Sequence, residues 1–275
     1  MDVLPVPGTP HSSAVSSAIF DGSPSSTGIV IYDDSTARPV VAPGWNSSAF
    51  SYVAIQSGND ASTLYAPAQT SPTDFYILGV TTSGVSVSRT YPGVLTFPTP
   101  NYGIHYDTGT GLIYWDGGQV LDPSNGTVVG TFNASGITVP DSGLNRVFFV
   151  GQTSAQVGTS DFTIQAFDQQ HFTLVDSITI SNVVGSPTGL IRWGTSGLAF
   201  TTRVGVPTDF TGIGPGQLYV VAGTLVKADT ARRPSALIRD EEHVRRTWGF
   251  ARRRCEGSTK DRRSSVTSFT VRNSA

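Results

Sequence analysis

The chain has 275 residues, enough for one large domain or two small ones, and its thirty glycines and seventeen prolines among abundant Ser, Thr and Val argue against a helix-rich fold. The net charge of -2 conceals a division at about Val226: residues 1–226 carry five Arg, no Lys, no Glu and fourteen Asp, a net -9, whereas residues 227–275 carry thirteen Lys plus Arg against six Asp plus Glu, a net +7. The one cysteine, Cys255, rules out an intramolecular disulfide, and no run approaches the roughly 18 apolar residues of a membrane-crossing helix.

Residues 1–26 are rich in Pro, Ser and Gly, and their one apolar stretch, Ala14 to Phe20, is a candidate strand. The N-terminus, Met1-Asp2-Val3-Leu4-Pro5, lacks the basic segment and apolar run of a signal peptide. From Thr27 onward short apolar runs recur: Ile29-Val30-Ile31-Tyr32, Ser51-Tyr52-Val53-Ala54-Ile55, Phe75-Tyr76-Ile77-Leu78, Leu112-Ile113-Tyr114-Trp115, Val147-Phe148-Phe149-Val150, Leu198-Ala199-Phe200 and Leu218-Tyr219-Val220-Val221. Each has the length of a strand.

Two elements repeat within this series. The first is a small residue, an apolar-aromatic run and a turn, as in 111–117, 145–151 and 197–202, with a weaker form at 62–66; Leu64, Ile113, Val147 and Leu198 are spaced by 49, 34 and 51 residues. The second is a hairpin, Gln119-Val120-Leu121-Asp122-Pro123-Ser124-Asn125-Gly126-Thr127-Val128-Val129, which returns 46 residues later around Phe167-Asp168 and has a degenerate relative at 80–88. Variable loops added to a unit of roughly 40 to 45 residues account for this spacing. One such sheet cannot bury both its faces alone, whereas neighbours stacked around an axis cover them. The run from Gly111 to Phe132 resembles the blades of bacterial β-propeller repeat proteins of the YVTN and NHL-like kind. That resemblance, closest over 101–226, implies an all-β propeller of about four to five blades. Tandem β-sandwiches are the alternative architecture. On this reading residues 1–26 are a leader or incomplete blade, 27–226 the propeller-like repeat domain, and 227–275 a basic tail. A basic helix is expected over 236–254 and disorder over 255–275.

Chemistry is sparse. No Gly-x-Ser-x-Gly elbow, HExxH or paired-Cys pattern occurs, and His11, His105 and His171 lie far apart, so neither a catalytic motif, a metal site nor a cofactor is expected. Gly109-Thr110-Gly111 and the run 212–216 read as hairpin loops rather than phosphate cradles. Asp107, Asp116 and Asp122 cluster within 16 residues, which suggests an Asp-dependent propeller glycoside hydrolase or lyase, but Asp122 before Pro123 reads first as a turn former. Arg192 and Trp193, adjacent at a strand-to-turn junction, read first as structural, with Trp193 packed between blades and Arg192 bonded to loop carbonyls. They read second as part of a ligand-binding face with Tyr102, His105 and Trp115. The expected role is a non-enzymatic, extracytoplasmic binding or structural module for a protein or glycan. Nucleic-acid contact is expected only through the Arg-rich tail, where Arg245-Arg246 and Arg252-Arg253-Arg254 flank Trp248 and Phe250.

Overall fold

The computed structural model describes residues 2–20, 24–43, 54–68, 72–96, 103–155, 159–203, 216–226 and 264–271. They form five antiparallel sheets in a β-propeller arrangement. The first sheet contains β1 (Asp2–Pro5), β2 (Ser12–Phe20), β3 (Pro24–Asp33) and β4 (Thr36–Ala37) in that order, with β5 (Ala42–Pro43) also paired to β3. The second runs β6 (Gln56–Ser57), β7 (Thr63–Pro67), β8 (Thr73–Thr81), β9 (Gly84–Leu95). The third runs β10 (Ile104–Asp107), β11 (Leu112–Trp115), β12 (Gln119–Asp122), β13 (Thr127–Thr131). The fourth runs β14 (Ile137–Asp141), β15 (Arg146–Ala155), β16 (Ser160–Asp168), β17 (Leu174–Val183). The fifth runs β18 (Ser186–Trp193), β19 (Gly197–Arg203), β20 (Gly216–Gly223), β21 (Ser264–Val271). The chain divides into two compact units, Met1–Val183 with the first four sheets and Val184–Ala275 with the fifth.

The expected repeats map onto fixed places in these sheets. The four apolar-aromatic runs are β7, β11, β15 and β19, each the second strand of its sheet. The hairpins at 119–132 and around 167 are the third and fourth strands of theirs, and both carry a bulge at the same place, between Val120 and Leu121 and between Ala166 and Phe167. The irregular spacing comes from strand length. The third sheet is built from strands of four to five residues, whereas β15, β16 and β17 run nine to ten.

Strands buried on both faces explain why these runs are continuously apolar rather than alternating. Along β11, Ile113 and Trp115 join Tyr65, Phe75, Leu95, Ile104 and Leu121 in a core between the second and third sheets. Tyr114, on the opposite face, packs with Val120, Phe132, Val147, Phe149 and Phe167 between the third and fourth. A further cluster, including Ile29, Ile31, Leu64, Tyr76 and Leu78, joins the first two sheets. Each large side chain so buried contributes about 1.5–3 kcal/mol.

Polar side chains stitch the same seams. Arg38 donates to both carboxylate oxygens of Asp33 at 2.9 and 2.8 Å and to the carbonyl of Thr81 at 2.6 Å, tying the first sheet to the second. Residues 1–26 contribute β1, β2 and the start of β3 to the first sheet. Within the basic tail, read as disordered over 255–275, residues 264–271 form a strand instead. Val266, Thr267, Phe269, Thr270 and Val271 favour extended backbone, and β20 offers them an edge in an eight-residue register. The expected helix over 236–254 and its Arg clusters lie outside the described residues, as do Ser51, Tyr52 and Val53 of the expected strand at 51–55. Among the described residues no helix is long and apolar enough to cross a membrane.

Candidate functional site

The expected site residues separate into different environments. Tyr102 lies outside the described residues. Trp115, expected on a loop-bearing face, is fully buried in the core between the second and third sheets, where its indole N–H donates to the carbonyl of Thr96 at 2.9 Å. The correction has a simple cause: in a stack of sheets both faces of a second strand are interior, so an aromatic there is core.

His105 stands on β10, the first strand of the third sheet, which packs against β6 and β14, the first strands of its neighbours. Its side chain is half-buried, with Nε2 3.2 Å from Oδ1 of Asp116. Asp116 is buried and accepts three hydrogen bonds: from His105, from the backbone N–H of Gly103 at 3.0 Å and from that of Thr138 at 3.0 Å. A Cβ at 103 would lie 2.4 Å from Oδ2 of Asp116, so any larger residue there would have to displace the carboxylate. The carboxylate thus clasps the start of β10 to β14 of the next sheet and, in the neutral imidazole, holds the proton on Nε2. That tautomer leaves Nδ1 as a hydrogen-bond acceptor.

The other aspartates of the expected carboxylate cluster are held by the protein itself. Asp107 is buried and accepts from Thr110 Oγ1 (3.0 Å), Gly109 N–H (3.2 Å), Ser142 Oγ (3.0 Å) and Gln169 Nε2 (2.9 Å), the last two from the fourth sheet's turns. The register of β10 on β11 sets Asp107 and Asp116 at opposite ends of that hairpin. Asp122 takes the Ser124 N–H at 2.8 Å and the Asn125 amide at 2.9 Å. The Ser124 bonds, through hydroxyl and N–H, hold its carboxyl below the usual carboxylate range. Burial pushes the carboxyl of Asp168 upward, but hydrogen bonds from His171 and Gln170 outweigh it and the net shift is downward. Glycines 109 and 111 sit in the β10–β11 turn, the expected hairpin loop. The three described histidines each pair with an aspartate, His11 with Asp34, His105 with Asp116 and His171 with Asp168.

The fifth sheet carries the remaining two residues. Arg192 donates to the carbonyls of Gly197 at 2.7 Å and Thr195 at 3.3 Å, closing the β18–β19 turn as expected of a structural arginine. Trp193 is not packed between blades: it is 56% exposed. Two residues earlier Ile191 is 55% exposed, so the two share one face of β18 while Arg192 occupies the other. Ile191 was not among the expected residues, although the i, i+2 spacing of Ile191 and Trp193 was its available signal.

No protein-family model matches the chain, and no curated protein matches it in sequence. In three dimensions it is similar to a chain of the Kuenenia stuttgartiensis hydrazine synthase, with a TM-score of 0.56 and 12% identity, covering 80% of this chain. It spans 62% of the length of that chain. A chain of a mitotic checkpoint complex aligns with a TM-score of 0.44 and 12% identity over 81% of this chain and 80% of that one. Only the first exceeds 0.5, and at 12% identity it bears on the fold alone.

Proposed function

We propose that the chain is a non-enzymatic, extracytoplasmic β-propeller module, akin to the bacterial YVTN and NHL-like repeat proteins, that binds a protein or glycan ligand. The observation that carries this reading is the exposed pair Ile191 and Trp193 on one face of β18. An indole held on a rigid strand offers a flat apolar surface for a sugar ring or an aliphatic side chain at small entropic cost. The body's freedom from Lys and Glu supports the extracytoplasmic assignment. Saturation of Asp107, Asp116, Asp122 and Asp168 by protein donors supports a scaffold over the alternative of an Asp-dependent hydrolase.

The test is a screen of the purified chain against an array of glycans and displayed peptides, followed by calorimetric titration of the best binder. Trp193→Ala should weaken that binding at least tenfold, about 1.4 kcal/mol, while leaving the thermal midpoint within about 2 °C of the parent. Arg192→Ala should do the reverse, lowering the midpoint because the β18–β19 turn loses two hydrogen bonds. Unchanged affinity in Trp193→Ala removes β18 from the binding surface.

A further inference from the structure

The fourth strand of the fifth sheet reaches its place by an unusual route. In the third sheet the last two strands are joined by the four-residue turn 123–126, and in the fourth by 169–173. In the fifth, β20 ends at Gly223 and β21 begins at Ser264, opposite it in register, so 40 residues, 224–263, join two adjacent ends. Hairpin connections run about 2–5 residues. A connection of 40 could span on the order of 130 Å at full extension, long enough for residues 264–271 to reach the β20 edge of a second copy.

The strand itself suits exchange. Residues 264–271, Ser-Ser-Val-Thr-Ser-Phe-Thr-Val, carry no charge, no Pro and no Gly, and five of the eight are β-branched or aromatic. Arg262 and Arg263 precede this window and Arg272 follows it. Without β21, β20 would present an eight-residue edge of unpaired backbone donors and acceptors, which is a template for strand addition. The charge division adds long-range attraction: a body of net -9 attracts a segment of net +7 on another copy as well as its own.

We propose that the outer edge of β20 is a strand-acceptor site that takes residues 264–271 from a second copy of this chain, giving a strand-exchanged dimer. The interface is main-chain pairing in the register Gly216↔Val271 to Gly223↔Ser264, with Val221 opposite Val266 and Leu218 opposite Phe269. The proposal is independent of the ligand reading above, since β21 and β18 lie on opposite edges of the sheet.

Val220 and Thr267 are register partners, and facing strand positions stand within the Cα separation a disulfide requires. In a Cys255→Ser background, full chains bearing either Val220→Cys or Thr267→Cys, with tags of different size, are mixed unfolded, refolded together at about 1 mM, the effective concentration of a tethered strand, and oxidised. A disulfide-linked heterodimer, at least tenfold in excess of either homodimer on a non-reducing gel, is the expected result. A heterodimer no more abundant than the statistical mixture, together with an intramolecular disulfide in the monomeric double variant Val220→Cys/Thr267→Cys, would show the edge to be filled only by the chain's own strand and would overturn the proposal. Failure of the double variant to cross-link within or between chains would also overturn it, because β21 would then not occupy the edge.

Discussion

At the scale of single residues the two copies of the hairpin show what one turn demands. Asp122 and Asp168 each accept the N–H two residues on, at 2.8 and 3.0 Å, and each offers its own carbonyl to the N–H four residues on, that of Gly126 and that of Phe172. Both of those residues have positive φ, 75° and 58°. Gly126 adopts it freely; Phe172 is held there while its ring packs 5.0 Å from that of Phe132. Gly126→Ala should therefore destabilise by about 1–3 kcal/mol in urea unfolding, since its Cβ would sit 2.2 Å from the Tyr91 ring. A stability equal to the parent's would show that Tyr91 yields. Ionisation gives a second residue-scale expectation. Hydrogen bonds from Arg38 and then from Ser12 lower the Asp33 carboxyl from 3.8 to about 2. Between those values the unfolded chain binds the additional proton, so stability present above about pH 4 is lost as pH falls toward 2. Burial, followed by Tyr106 and Asp60, pushes the Tyr65 hydroxyl from 10.0 up to about 12. That contribution is complete below pH 10 and disappears as pH rises through 12. Thermal midpoints measured across both windows should fall at each end, and Asp33→Asn should flatten the acid limb; an acid limb unchanged by Asp33→Asn would assign it to other carboxylates.

At the scale of elements, the second strands and outer hairpins were legible because their spacing reflects a physical unit, one sheet with two faces to bury. The degenerate relative at 80–88 is a real hairpin, yet Thr81 pairs with Gly84 across a two-residue loop, so it lacks the Asp-capped turn. Trp115 was misplaced because an apolar-aromatic run reads identically whether a face is open or covered. The seam between the third and fourth sheets centres on Phe132, whose ring lies 5.4, 5.3 and 5.0 Å from those of Phe149, Phe167 and Phe172. Phe132→Ala should cost about 3–5 kcal/mol, read as a fall in urea midpoint at unchanged slope. A loss under 1 kcal/mol would mean that neighbouring rings refill the cavity. Gly136, with φ of 140°, enters β14 so close to β15 that a Cβ would meet the Val150 carbonyl oxygen at 2.2 Å. Gly136→Ala is thus expected to loosen the β14–β15 pairing within the fourth sheet, seen as faster amide exchange in β14 and β15 than in β2 and β3.

At the scale of the whole molecule, stability is a sum over sheets and the seams between neighbours. Three apolar clusters and the side-chain clasps of Arg38, Asp107 and Asp116 join the first four sheets in series. The fifth sheet depends on a strand drawn from the basic tail. A chain ending at Val226 would expose the full length of β20, and it should sediment as larger species at concentrations where the complete sequence does not. A monodisperse truncated monomer would mean that the edge protects itself by other means.

Composition and spacing determined the all-β class, the sheet repeat and the turn role of Asp122, because burial on two faces and hydrogen bonding in a tight turn are local demands that recur with the unit. Tertiary structure alone decided which aromatics are core, that Asp107 and Asp116 clasp adjacent sheets, that Ile191 and Trp193 are exposed, and that residues 264–271 complete the fifth sheet. Each of those depends on what lies across a seam or beside an edge, and the partner is supplied by residues 20 to 60 or so positions away, whose proximity no local pattern records.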